Sequence, residues 1–204
     1  MSTSWAVDEP VFRILAVCTG NVCRSPLVER MLQAGFDGQA PGVFRVGSAG
    51  AQALVGASVT PEIAELAQRL GVDVRGFRAR ALTPAHIREA DLVLALDRGH
   101  RAAVVEMVPQ ALQRTFTLRE LARILPQVPV ERAASRRERW RSAVVLAARR
   151  RRPVAGDPSA DDVVDPYQLP EAVHREMAGQ LVPAVDALLQ WEARAAASSW
   201  WPDL

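Results

Sequence analysis

The stretch Phe12-Arg13-Ile14-Leu15-Ala16-Val17-Cys18-Thr19-Gly20-Asn21-Val22-Cys23-Arg24-Ser25-Pro26 decides how this chain is read. Its first six residues predict a buried strand. A polar turn containing Gly20 follows. Ser25-Pro26 then predicts a helix start, because serine caps well and proline suits the first helical position. Leu27, Val28, Met31 and Leu32 recur on one helical face, with Glu29, Arg30 and Gln33 opposite.

Outward from this unit the pattern repeats. Residues 43–46 predict a second strand, followed by a small-residue turn at Gly47-Ser48-Ala49-Gly50. Thr60-Pro61 predicts a helix with Ile63, Leu66, Ala67 and Leu70 inward and Gly71 as its stop. Leu92-Val93-Leu94-Ala95-Leu96, between Asp91 and Asp97, has the unbroken apolar character of a strand covered on both faces. Arg114-Thr115-Phe116 predicts a short fourth strand, with a helix over residues 118–125. Alternating strands and helices imply an α/β fold: a three-layer sandwich with a parallel sheet of about four strands and helices on both faces. In such folds a site forms beyond the carboxyl ends of the strands, where the Cys18 turn falls.

Residues 126–160 break the pattern as an arginine-rich insertion. Nine arginines and two glutamates lie within residues 131–152, with Trp140, Val144, Val145 and Leu146 among them. The expectation is a solvated helical flap, or alternatively a docking surface centred on residues 149–152 for an acidic, multiply phosphorylated tail. A last helix is expected over residues 169–197, with Leu181, Val182, Val185, Leu188 and Leu189 inward and Pro183 as a kink point. The organisation is one domain over residues 11–190, with 1–10 and 191–204 as tails, the second ending near Trp200-Trp201.

Composition bounds the function. The 204 residues carry a net charge of +2, with 25 basic side chains that are all arginine. That balance does not argue for nucleic acid as the main partner. No stretch approaches the ~20 apolar residues of a membrane helix, so no membrane insertion is expected. The first eleven residues lack a basic segment and do not read as a secretory signal. The two cysteines, Cys18 and Cys23, lie too close together for a secreted disulfide framework, and a cytoplasmic location is expected.

Cys18 and Arg24 are separated by five residues at a strand-to-helix turn. This is an anion cradle with a nucleophile at its floor. Backbone N–H groups from Thr19, Gly20, Asn21, Val22, Cys23, Arg24 and Ser25 converge as a nest, and the helix adds its positive end. Arg24 can grip two phosphate oxygens with its planar fork. The same field favours thiolate over thiol. Ser25 can cap the helix and donate to the sulfur. Asn21 tolerates a left-handed backbone, and Gly20 permits close approach. The nucleotide-binding loop that ends in Gly-Lys-Ser/Thr is excluded, since the chain has no lysine.

The segment VCTGNVCRSPLVE over residues 17–29 resembles the signature of the low-molecular-weight protein tyrosine phosphatases, bacterial exopolysaccharide-associated branch. The similarity continues through Gly47-Ser48-Ala49-Gly50, Arg78-Ala79-Arg80-Ala81-Leu82, Ala90-Asp91-Leu92-Val93-Leu94-Ala95-Leu96-Asp97 and Asp165-Pro166-Tyr167. The resemblance implies hydrolysis of phosphotyrosine through a phosphocysteine, with Cys18 as nucleophile, Arg24 on the phosphoryl group and Asp165 as general acid. It implies no metal and no cofactor. Leu54, Val55 and Tyr167 would line the substrate cleft, and the partner would be a phosphotyrosine protein such as a bacterial tyrosine kinase tail.

The chain departs from that family's pattern in places. Leu54-Val55-Gly56 stands where many relatives carry tryptophan. Phe77 stands where a histidine commonly supports the loop asparagine, leaving Ser48 to support Asn21. Gln168 follows Tyr167. His86, His100 and His174 lack metal-ligand spacing and read as surface or structural residues. Cys23 reads as a packed loop residue that could also trap Cys18 as a disulfide under oxidant. Three alternatives remain, one of them a structural or signalling partner that works through the arginine-rich insertion and could coexist with activity. A thioredoxin-coupled arsenate reductase of the same fold would need cysteines beyond Cys23, and a non-catalytic phosphate- or phosphotyrosine-binding module would not need the acid.

Overall fold

The computed structural model describes residues 11–131, 133, 135–154 and 156–198. Trp200-Trp201 and the amino-terminal ten residues lie outside them. In chain order the elements are β1 (Phe12–Cys18), α1 (Arg24–Gln39), β2 (Phe44–Gly50), α2 (Pro61–Arg69), α3 (Pro84–Glu89) and β3 (Leu92–Ala95). There follow α4 (Arg98–Met107), β4 (Thr115–Thr117), α5 (Leu118–Ile124), α6 (Arg136–Arg149) and α7 (Glu171–Ser198).

The strands form one parallel sheet in the order β2-β1-β3-β4. Alternation along β1 explains why both faces are covered. Phe12, Ile14, Ala16 and Cys18 point into one apolar cluster with residues of α1, α5, α6 and α7, while Leu15 and Val17 point into the other with Ile87 of α3 and Val104 of α4. This is the expected three-layer α/β sandwich. Because the chain leaves β1 toward β2 and later crosses back to β3, the carboxyl ends of β1 and β3 flank a topological switch point.

Several local expectations are corrected. Gly47-Ser48-Ala49-Gly50 is not a turn but the second half of β2, paired in register with β1 so that Cys18 lies opposite Gly50. Small residues are needed there for approach: a Cβ on Gly50 would come within 2.5 Å of the Thr19 carbonyl oxygen. At Gly20 a Cβ would make only ordinary contacts with Val22 and Leu54, so the tight approach expected there belongs to Gly50. Leu70, expected inward, is exposed, because α2 ends at Arg69 and the chain turns through Gly71 at φ 70°.

The arginine-rich segment is not a solvated flap. Trp140 of α6 is 0% exposed and packs its ring against Phe12, Phe36, Phe44 and Trp191 at centroid distances of 4.9–5.9 Å. Its indole N–H donates to Glu192 at 2.8 Å, and Arg139 and Arg136 lie within 3.2 and 3.4 Å of the same buried carboxylate. Burial pushes the Glu192 carboxyl up from its ordinary value, against the Trp140 hydrogen bond and the arginine charges. Arg141 pairs with Asp91 at 2.7 Å, and Arg151 pairs with Glu120 at 2.9 Å while lying 4.3 Å from the centre of the Phe116 ring. Nor does a tail begin at residue 191. Helix α7 continues to Ser198, and Trp191, Glu192 and Ala195 are all buried.

Candidate active site

Cys18 ends β1, and the loop after it is tied down through its carbonyls. Ala51, Gln52, Leu54 and Thr60 donate their amides to the oxygens of Cys18, Thr19, Gly20 and Val22 at 2.8–3.1 Å. With those oxygens held by the neighbouring segment, the N–H edge of the loop and the first turn of α1 are left to face an anion. Helix α1 begins two residues earlier than expected, at Arg24, with Cys23 in the capping position.

Asn21 adopts the left-handed conformation expected of it, at φ 55°. Its amide donates to Ser25 Oγ at 2.9 Å and to Ser48 Oγ at 2.8 Å, and its carbonyl accepts from the Arg80 amide at 2.9 Å. Ser48 in turn donates to Glu29 at 2.6 Å. Asn21 is thus supported by three groups, not by Ser48 alone. The arrangement also fixes a proton. Since Ser25 Oγ accepts from Asn21, its own hydrogen is free to point at Cys18 Sγ, 2.9 Å away. Burial raises the Glu29 carboxyl, opposed by the Ser48 hydroxyl and by Arg30 and Arg80.

The Arg24 side chain is buried at the cradle wall. Nη1 donates to the Val163 carbonyl at 3.0 Å and to Asp97 at 3.3 Å, and Nη2 lies 2.7 Å from Asp165 Oδ2. Its Nε is buried without a protein partner among the described residues.

Two residues outside the cavity lining, Asp97 and His100, brace Arg24 and Thr19 from behind. Asp97 caps α4 through the His100 amide at 2.8 Å, and its other oxygen lies 2.8 Å from His100 Nδ1, off the line of a well-formed hydrogen bond. His100 Nε2 meets Thr19 Oγ1 at 2.8 Å. Burial acts to raise the Asp97 carboxyl, but the close His100 ring, the hydrogen bond from the His100 backbone, and the charges of His100 and Arg24 outweigh it and hold the group at about 2. Asp97 therefore remains ionised beside Arg24 and fixes the orientation of the guanidinium.

Asp165 sits over the cradle mouth on the loop before α7, its side chain 47% exposed. The Tyr167 amide reaches its other oxygen at 3.3 Å. Together these residues enclose a cavity of about 220 Å³, floored by Cys18 and the loop and walled by Gln52, Leu54, Asp165 and Tyr167. Gln52 was not foreseen. Val55, expected in the cleft, is outside the lining and 71% exposed. Val22 and Cys23 also reach the cavity. Both cysteines are free, and burial pushes the Cys23 thiol up to about 12, with a weak Thr60 contact at 3.8 Å opposing.

A thiol on the floor, a guanidinium on the wall and a carboxylate over the mouth thus meet at one cavity. Residues 13–126 match the family described as low molecular weight phosphotyrosine protein phosphatase, and the chain belongs to that family. It is 40% identical over 103 residues to the low molecular weight protein-tyrosine-phosphatase Etp of Escherichia coli K12, a match covering 50% of this chain and 66% of Etp, just under two thirds. It is 38% identical over 109 residues to a protein-arginine-phosphatase of Geobacillus stearothermophilus, covering 53% of this chain and 70% of that one. Among solved structures, the low molecular weight protein tyrosine phosphatase from T. tengcongensis superposes with a TM-score of 0.63 at 28% identity, covering 88% of this chain and 98% of the other. The YwlE arginine phosphatase from Geobacillus stearothermophilus superposes at 0.64 with 26% identity, covering 95% and 99%. Among the described residues no helix is long and apolar enough to cross a membrane.

Proposed function

We propose that this protein is a cysteine-dependent phosphatase that hydrolyses phosphotyrosine in proteins. The observation that carries the reading is the convergence of Cys18, Arg24 and Asp165 on one cavity. In the first step Cys18 attacks phosphorus, the P–O bond to the phenol breaks, and the departing oxygen takes the proton of Asp165. The product is a phosphocysteine. In the second step Asp165 removes a proton from water as it attacks phosphorus. The P–S bond breaks, and the Ser25 hydroxyl stabilises the thiolate as it leaves. Phosphate is then released, and no cofactor takes part. The Arg24 fork and the loop amides stabilise the charge on the equatorial oxygens in both steps.

The apolar lining from Val22, Leu54 and Tyr167 suits an aryl ring. A phosphorylated guanidino group would have to place its N–H donors on Gln52 and Asp165, the polar members of the same wall. The arsenate reductase alternative lacks relay cysteines, since Cys18 and Cys23 are the two in the chain. The binding-module alternative gives no role to a carboxylate over the cradle mouth. A tyrosine kinase tail is the proposed partner, and the cytoplasm is the proposed location. The test is turnover of phosphotyrosine, phosphoserine and phosphoarginine peptides by wild type, Cys18→Ser and Asp165→Asn. Phosphotyrosine hydrolysis that vanishes in the first variant and falls sharply in the second supports the proposal. Preference for phosphoarginine, or activity surviving Cys18→Ser, overturns it.

A further inference from the structure

A second cavity, of about 330 Å³, is lined in part by Pro158 and Asp161 of the segment that leads to Asp165. Four guanidinium groups reach it: Arg98 and Arg101 from α4, and Arg151 and Arg152 from the chain just after α6. Only two carboxylates line it, Glu120 and Asp161, and Asp161 is already paired at 2.9 Å with Arg123, which lies outside the lining. Arg98 is held by Asp162 at 3.0 Å and Arg151 by Glu120 at 2.9 Å. Arg101 and Arg152 have only backbone carbonyls as partners among the described residues, at Thr115 and Arg151. Two charged forks therefore share one concave space with no anion assigned to them. Burial lowers the Arg151 cation from its ordinary value; Glu120 opposes this, and the charge of Arg101 adds to it. Like charges gathered in this way favour an anion between them, and arginine forks match phosphate geometry.

We infer that this cavity is a second phosphate-binding site, held by Arg101 and Arg152, with Arg98 and Arg151, already paired to Asp162 and Glu120, beside them. Two residues of the expected docking run, Arg151 and Arg152, belong to it, whereas Arg149 and Arg150 are exposed and outside the lining. The site adjoins the cradle through the chain itself. Arg98 follows Asp97, and the Arg98 amide donates at 2.8 Å to Asp162, whose neighbour Val163 accepts from Arg24. The ligand is a phosphate dianion, either free or carried as a second phosphoryl group on a substrate already held at Cys18.

The test is a count of bound inorganic phosphate by equilibrium dialysis at near-physiological salt, where weak surface attraction is screened. Wild type should bind one more phosphate per chain than the double variant R101Q/R152Q. Because the readout is a difference, it holds whether or not Cys18 turns over substrate. Arg152→Gln alone changes an exposed residue that the fold does not need, and should weaken the second site by about tenfold, the loss of one charge-assisted hydrogen bond. Equal phosphate counts in wild type and R101Q/R152Q, or unchanged affinity in Arg152→Gln, overturn the inference. Binding of peptides with one and two phosphates to Cys18→Ser then separates the sources. A preference for the doubly phosphorylated peptide that disappears on adding R101Q/R152Q assigns the site to substrate; equal binding of both peptides assigns it to free phosphate.

Discussion

Replacing Trp140 with alanine tests whether the arginine-rich helix is part of the core. The indole is wholly buried among four aromatic rings, and its N–H holds the buried Glu192. Truncating a buried tryptophan costs about 3–5 kcal/mol through lost transfer energy and the cavity left behind. Loss of the donor to Glu192 adds to this, because the carboxylate remains buried. A solvated flap would give a change within about 0.5 kcal/mol. The two readings thus differ by several kcal/mol, a large share of a domain stability of about 5–15 kcal/mol. Urea denaturation followed by far-ultraviolet circular dichroism measures the difference, and a thermal melt should fall by about 6–20 °C for a chain of this size. Trp140→Phe keeps a ring in the site but removes the N–H, and should cost about 1–3 kcal/mol. A loss below about 1 kcal/mol in Trp140→Ala would refute the reasoning.

The remaining predictions concern the site. Asp97 is held at about 2, below its unfolded value, so its ion pairs with Arg24 and His100 contribute stability above the unfolded value that is lost as pH falls toward 2. Asp97→Asn should therefore flatten the acid limb of stability between about pH 4 and 2, read by urea midpoints across pH, and should lower turnover by loosening Arg24. An unchanged acid limb would count against that role. Iodoacetamide at pH 8 should label Cys18 and spare Cys23, whose thiol is pushed up to about 12, and phosphate should protect; mass mapping that finds label on Cys23 would contradict this. Leu54→Ala should raise KM for an aryl phosphate several-fold while Val55→Ala leaves it unchanged, since only Leu54 lines the cavity. Equal effects on steady-state KM would return Val55 to the cleft.

The cradle was legible because its chemistry is contiguous. Cys18, Asn21, Arg24 and Ser25 lie within eight residues, and a strand end followed by a capped helix fixes their mutual geometry. The sheet was legible for a similar reason, as its strands are short apolar runs between helices. What escaped depends on contacts between distant residues. Asp97 read as the punctuation after a strand and His100 as a surface or structural residue, and it is the pairing of β3 with β1 that sets them against Arg24 and Thr19. Glu29 read as solvent-facing until Ser48 of β2 met it. The α6 segment was misread because its arginines hide the apolar spacing of Trp140, Ala143, Val144 and Ala147, the buried face of that helix. The last helix is expected to reach residue 197, but that Trp191 within it completes the aromatic cluster depends on the distant Trp140.

The central claim is that Cys18 carries the phosphoryl group, and rapid-quench intact mass measurement tests it most directly. Asp165→Asn mixed with para-nitrophenyl phosphate, whose leaving group needs little protonation, should accumulate protein bearing one phosphoryl group, mapped to Cys18. Hydrolysis without any covalent adduct, or an adduct on another residue, would contradict the account.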